Sequence, residues 1–201
     1  MYEKYFSPMP RMETDRLIIR RVERSDAREL YELCSRPETS QYSLWSPHES
    51  LSVTKQYISC QHSLERRGCC TFFVVEEKSG GVIGTASYVS LDESFKIAEI
   101  GYSILSDLWG RGYGTEVADA LTGFAFDRLG AQRVYARVLP ENKASAAVLE
   151  KLGFAFEGTQ QKGYYYKGRV NDVDIYGMTD DMYFEREAAF NGASQDSQLY
   201  R

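Results

Sequence analysis

Apolar positions along this chain recur with two periods, alternating in some stretches and returning every third or fourth residue in others. The changes of period mark out the elements. Residues 16 to 22 alternate and predict a first strand. Ser25 then stands as the N-cap of a helix carrying Ala27, Leu30, Tyr31 and Cys34 on one face, and Pro37 ends it. A second helical pattern runs from about 49 to 67 and stops at Gly68. Residues 70 to 77, 82 to 91 and 96 to 105 read as an antiparallel meander whose turns are Lys78-Ser79-Gly80-Gly81 and Asp92-Glu93-Ser94. Next comes a helix burying Val117, Leu121, Phe124 and Ala125 before Gly130. A strand over 133 to 139, a helix from Asn142 to Gly153, and strands over about 154 to 165 and 172 to 184 complete the pattern. From Glu185 onward the chain is polar and is expected to be disordered. This order predicts a mixed α/β sheet flanked by helices, not a doubly wound parallel one.

Composition narrows the classes. With 201 residues, 43% of them hydrophobic, the chain fits one domain with a sizeable core. Its formal charge of −5 gives no sign of a nucleic-acid-binding surface. No apolar stretch approaches the roughly 20 residues that span a bilayer, and Met1 to Pro10 lacks the apolar centre of a signal peptide, so a cytoplasmic protein without membrane partners is expected. Cys34, Cys60, Cys69 and Cys70 show no metal-ligand spacing with His48 and His62, and are read as reduced thiols with no metal bound.

Candidate chemistry gathers in Trp109-Gly110-Arg111-Gly112-Tyr113-Gly114-Thr115-Glu116, where alternate glycines lie between a strand pattern and a helix pattern. Glycine admits positive φ and lets the backbone approach a ligand with no Cβ between. The helix that follows offers unpaired N–H groups and roughly +0.5 charge at its first turn, which predicts an anion site. A Walker loop would need Gly-Lys-Ser/Thr, and a dinucleotide fingerprint would need Gly where Thr115 stands. Taken alone, the run is also explained as a glycine turn that starts a helix.

A second block, Asn142-Lys143-Ala144-Ser145 through Leu152-Gly153-Phe154, follows the strand pattern Arg133-Val134-Tyr135-Ala136-Arg137-Val138-Leu139. Together the two blocks resemble the GNAT superfamily of N-acetyltransferases, whose Q/R-x-x-G-x-G/A loop binds the pyrophosphate of acetyl-coenzyme A. Trp109 departs from the Gln or Arg usual there, while Gly112 and Gly114 are kept. Glu13 to Arg20, Ala98-Glu99-Ile100-Gly101-Tyr102 and Asp172-Val173-Asp174-Ile175-Tyr176 resemble the RimJ/RimL branch, which acetylates ribosomal-protein N-termini and also contains enzymes acting on other amines. The resemblance covers about residues 12 to 184, leaving 185 to 201 as a tail. It implies an α/β (α+β) fold with a mostly antiparallel seven-stranded sheet, about four helices, and a V-shaped splay between the fourth and fifth strands that admits the coenzyme.

The resemblance also implies a site. N–H groups of Arg111, Gly112, Tyr113, Gly114 and Thr115 would hold the pyrophosphate, with the Arg111 side chain assisting. Main-chain groups around Ile104, Leu105 and Ser106 would hold the pantetheine, and Asn142 would contact it or cap the helix. Glu99 is the candidate base, Ser145 the donor to the departing thiolate, and Tyr176 a second candidate acid. Tyr42, Trp45 and Tyr164 are candidates for the acceptor pocket, Tyr164 standing where some Rim-type enzymes carry a Glu. Each has a plainer reading: a solvated charge for Arg111, an ordinary strand carboxylate for Glu99, capping for Asn142 and Ser145, a buried strand tyrosine for Tyr176, and core cover for the loop aromatics.

The acceptor amine sets a quantitative demand. A Lys of pKa about 10.4 is neutral in only ~0.04% of molecules at pH 7, against ~10 to 17% for an α-amino group, which therefore needs less help from a base. The leading expectation is an acetyl-coenzyme-A-dependent enzyme acting on a protein or peptide N-terminus, a ribosomal protein included. The alternatives are a small amine such as a polyamine, an amino acid or an antibiotic, or a non-catalytic acyl-coenzyme A sensor. The oligomeric state is left open, a homodimer being allowed.

Overall fold

The computed structural model describes residues 5–43, 45–67, 71–94 and 96–196, the side chains of 191–196 excepted. Gly68, Cys69 and Cys70, on which a helix stop and a strand start were expected, lie outside them, as do residues 197–201.

One eight-stranded sheet runs in the order β1-β2-β3-β4-β5-β6-β8-β7. Its strands are β1 (Met12–Glu13), β2 (Leu17–Arg21), β3 (Phe72–Glu77), β4 (Val82–Asp92), β5 (Ile97–Ile104), β6 (Arg133–Val138), β7 (Ala155–Tyr166) and β8 (Arg169–Thr179). Every pairing is antiparallel except that of β5 with β6. The helices are α1 (Ala27–Cys34), α2 (Pro37–Ser40), α3 (Leu51–Arg66), α4 (Tyr113–Asp127), α5 (Lys143–Lys151) and α6 (Asp180–Asp196). Two-residue β1 accounts for the eighth strand beyond the seven expected. Short α2 and terminal α6 raise the helix number above four.

Both faces of the sheet are covered, which explains why β3 reads as an unbroken apolar run. Phe73 and Val75 enter the larger core with Ile83, Ile100, Val117 and Leu121 beneath α4. Phe72 and Val74 enter a second core with Leu30, Leu33 and Ile58 beneath α1 and α3. In α3 only Thr54, Ile58 and His62 are fully buried, one residue per turn, so that helix lies on the second core by a narrow stripe. Its N-cap is Ser50, whose hydroxyl accepts from Val53 N–H.

Three sequence expectations need correction. Asp26, not Ser25, is the N-cap of α1, because Asp26 and Glu23 form a reciprocal capping box over the preceding turn while Ser25 reaches only the Glu23 carboxylate. Leu33 takes the buried place expected for Tyr31, and Phe124 is half-buried. Most consequential, the last strand stops at Thr179, and Asp180–Asp196, expected to be strand and then the start of a disordered tail, is α6. Thr179 Oγ1 accepts from Met182 N–H at 3.4 Å, and Asp180 and Asp181 favour a helix N-terminus. Tyr183 then stacks on Phe126 at 4.8 Å, and Arg186 donates to Leu152 O and Asp119. These anchors hold a helix whose composition alone is too polar to predict one.

Candidate active site

The parallel ladder between β5 and β6 has three rungs: Ile97 with Arg133, Ala98 with Val134, and Glu99 with Tyr135. Beyond them the strands part. Leu105 N–H donates to Ile83 O at 2.8 Å, so by alternation the main-chain groups of Ser103 face β4 while those of Tyr102 and Ile104 face the gap. Of the three residues expected to offer main-chain contacts, only Ile104 does so, through its N–H group. Leu105 N–H is taken by Ile83, and Ser106 N–H is taken by Thr39 Oγ1 at 3.3 Å. The indole N–H of Trp109 donates to Ile104 O at 2.7 Å, which gives the departure at 109 a structural task.

The glycine run leads into α4. Gly110 and Gly112 take φ of +74° and +82°, and Gly112 is the N-cap of the helix. No side chain caps it, and the first backbone bond of the helix is Glu116 N–H to Gly112 O at 3.1 Å. The N–H groups of Tyr113, Gly114 and Thr115 precede that bond and point out of the helix end. The turn is clamped from behind: Glu116 accepts from Thr14 Oγ1 at 2.5 Å, Arg16 N–H at 2.9 Å and Arg16 Nε at 2.7 Å. Arg16 also donates to Arg111 O at 3.0 Å and lies 4.4 Å over the Tyr113 ring, whose hydroxyl donates to Glu77. Burial pushes the Glu116 carboxyl up, but the bonds from Thr14 and Arg16 outweigh it and hold the group below the usual carboxylate range. Thr14 and Arg16 belong to the early run singled out in the sequence; their work here is to fix the glycine turn.

Across the gap, Asn142 caps α5 by accepting from Ser145 N–H at 3.2 Å. Ser145 Oγ is left facing the Tyr102 hydroxyl at 3.4 Å. Tyr102 is the participant that sequence reasoning missed, its strand alternation being the one available signal. A Cβ on Gly114 would sit 3.4 Å from its ring, so the glycine turn, Tyr102 and Ser145 form one packed unit. Burial pushes the Tyr102 phenol up to about 12, with the Ser145 contact acting the other way.

A cavity of about 420 Å³ runs through the gap. On the α4 and α5 side it is lined by Gly112, Tyr113, Gly114, Thr115, Asn142 and Ser145, and on the other side by Glu38, Thr39, Tyr42, Ser43 and Ser103. The remaining expected residues do not line it. Arg111 is exposed, with its carbonyl held by Arg16. Glu99 is buried on the opposite sheet face from Tyr102, both its oxygens bonded to Arg137 at 2.8 and 3.0 Å and one also to Tyr135 at 3.0 Å. Tyr164 lies against Arg137, 4.8 Å from ring centre to guanidinium. Tyr176 packs on Phe156 and donates to Glu150 at 3.3 Å, and Trp45 packs against the second core. A second cleft of about 560 Å³ between Met12–Asp15 and α4 is bordered by Glu13 and Asp15 and by three further carboxylates that are engaged, Glu116 with Arg16, Asp119 with Arg186 and Asp127 with Tyr183. Among the described residues no cluster of metal-ligating side chains occurs, and no helix is long and apolar enough to cross a membrane. Cys34 and Cys60 are free thiols.

Comparison with known proteins follows the same geometry. Residues 16–155 match the family model of the acetyltransferase (GNAT) domain. The N-acetyltransferase p20 of Bacillus licheniformis is 31% identical over 171 residues, 85% of this chain and 96% of that protein. The spermidine N(1)-acetyltransferase of Vibrio cholerae is 24% identical over 172 residues, 85% of this chain and 96% of that protein. Among solved structures, a putative ribosomal-protein-serine acetyltransferase from Vibrio cholerae superposes with a TM-score of 0.75 at 24% identity, over 86% of this chain and 98% of that one.

Proposed function

This chain belongs to the GNAT acetyltransferase family and is an acetyl-coenzyme-A-dependent N-acetyltransferase, and on that premise we propose that its acceptor is the α-amino group of a protein or peptide. The observation that carries the site assignment is the convergence on one cavity of the uncapped first turn of α4, the open edge of β5 and the Ser145 hydroxyl.

In this reading the amides of Gly112 to Thr115 bind the coenzyme's pyrophosphate at the positive end of α4, with Gly112 leaving room for close approach. The gap-facing main-chain groups of Tyr102 and the N–H of Ile104 hold the pantetheine as an added strand. One of these N–H groups supports the oxyanion that forms when the neutral amine attacks the thioester carbon. As the C–S bond breaks, Ser145 donates a hydrogen bond to the leaving thiolate, its own oxygen held by Tyr102. Glu99 is given no proton to carry, because both its oxygens are already engaged. Water takes the ammonium proton before attack, a step that an α-amino group of pKa near 7.7 to 8.0 makes easy near neutral pH, and takes the second proton from the nitrogen of the tetrahedral adduct as the amide forms. A cytoplasmic location fits this acceptor.

A second acceptor class, a polyamine, is favoured by the likeness to a spermidine N(1)-acetyltransferase and by the net charge of −5, which attracts cations. Thiol release from acetyl-coenzyme A, measured against N-terminal peptides, polyamines, amino acids and aminoglycosides, tests the proposal. Peptide α-amines should give the highest kcat/KM; a panel led by spermidine would replace the first reading with the second.

A further inference from the structure

β5 leaves the sheet through a short turn that folds back on itself. Ser106–Leu108 form one 3₁₀ turn, in which Leu108 N–H donates to Leu105 O at 2.9 Å and Trp109 N–H to Ser106 O at 3.2 Å. Asp107, within that turn, is paired with Arg36 at 2.7 Å. The reversal brings the Trp109 side chain back beside the last residue of β5, where its indole N–H meets Ile104 O at 2.7 Å. The peptide unit joining Ile104 to Leu105 is therefore held at both ends, its carbonyl by Trp109 and its N–H by Ile83 O at 2.8 Å. Ser103, paired with Thr85, has its main-chain groups on the β4 side. Between these two anchors, Ile104 N–H is aimed into the gap on a stretch of backbone fixed from both directions.

Core packing does not account for Trp109. Its side chain is 50% exposed and belongs to neither core, whereas neighbouring Leu108 packs against the larger one. A tryptophan placed for packing buries its ring. This one lines the cavity beside Gly110 and Gly112 and directs its single donor to main chain.

We propose that Trp109 is a positioning residue for the coenzyme's pantetheine arm: its indole closes Ile104 O to any ligand and fixes Ile104 N–H as a donor, so that pairing along the open edge stops at Ile104. The inference rests on the acetyltransferase reading and adds to it a residue that acts through Ile104, apart from the amides that grip the diphosphate. An extended ligand laid along an open edge can use both the N–H and the C=O of each residue that faces it, and can slip along them. Taking one carbonyl out of the edge removes that freedom and sets the register.

The test is calorimetry with two ligands: coenzyme A, and adenosine 3′-phosphate 5′-diphosphate, which keeps the diphosphate and lacks the pantetheine. Trp109→Phe keeps a ring and removes the donor, while Trp109→Gln removes the ring and keeps an N–H donor of similar reach. The Phe variant should raise the dissociation constant of coenzyme A about 3- to 10-fold, as loss of one neutral hydrogen bond does, and leave that of the truncated nucleotide within about twofold. The Gln variant should stay near the parent for both ligands. An equal loss for both ligands in the Phe variant would make Trp109 a support of the glycine turn alone and overturn the proposal. So would a coenzyme affinity that is unchanged or tighter in the Phe variant, or a Gln variant as weak as the Phe one. Each of these three outcomes removes the role of Trp109 and leaves the acetyltransferase reading standing. A parent that does not bind the truncated nucleotide removes the diphosphate anchor at α4, and with it the reading on which the inference rests.

Discussion

Glu99 and Arg137 meet at the last rung where β5 and β6 are still paired, the guanidinium donating to both carboxylate oxygens at 2.8 and 3.0 Å. Tyr135, across that rung, donates a third bond at 3.0 Å. The vertex of the splay is thus tied by side chains just where the backbone ladder ends. A carboxylate so engaged holds geometry better than it accepts a proton from a substrate.

A measurable consequence is that Glu99→Gln leaves the shape of the pH dependence of kcat/KM intact. Arg137→Ala, which leaves a buried carboxylate with Tyr135 alone, should cost about 3 kcal/mol in chemical denaturation. Loss of a pH limb in the Gln variant would restore Glu99 as the base.

Ser145 and Tyr102 should separate by magnitude. Ser145→Ala removes a donor to a charged leaving group, where a hydrogen bond is worth roughly 1.5 to 3 kcal/mol, so single-turnover transfer should slow about 10- to 100-fold. Tyr102→Phe removes a neutral bond to Ser145, and kcat should fall only about 2- to 10-fold. Because the Tyr102 phenol is pushed up to about 12 by burial, it stays protonated through the working range. The Phe variant should therefore show no new pH limb below about pH 10. Equal losses in the two variants would contradict the order Tyr102, Ser145, thiolate.

Most of the sheet was legible because alternation and turn residues act locally: β3, β4 and β5, the glycine turn and the Asn142 cap all stand where the pattern predicts them. What was not legible depends on partners far along the chain. Terminal α6 is held by Phe126, Asp119 and Leu152, none of which its own composition reveals. The engagement of Glu99 by Arg137 follows from a parallel pairing that a strand pattern cannot register. Tyr176 shows the same limit from the other side, since its residue type suits an acid but its strand position turns it to Glu150.

At the glycine turn, Gly112→Asp should raise the coenzyme's dissociation constant about 100-fold or more. The substitution places a Cβ in a left-handed backbone conformation at φ +82°. It also sets a negative charge among the amides that receive the pyrophosphate, reversing the attraction of the helix end. Isothermal calorimetry with coenzyme A reads the effect directly, and an unaltered affinity would move the anion site elsewhere.

The Glu116 clamp makes the turn sensitive to acid. Its carboxyl is held below the ordinary value near 4.3 by Thr14 and Arg16, against the opposing effect of burial. A folded-state value below the unfolded one contributes stability that is present above the unfolded pKa and is lost as pH falls through the folded one. With Arg16 nearly half exposed, at 44%, the ion pair is screened and about 1 kcal/mol is expected at neutral pH. Glu116→Gln should therefore be less stable than the parent by about that amount at pH 7, and the difference should shrink as both are titrated below about pH 4. Urea denaturation across pH 3 to 7 measures it, and a difference that stays constant over that window would show that the carboxylate charge contributes nothing to holding the glycine turn.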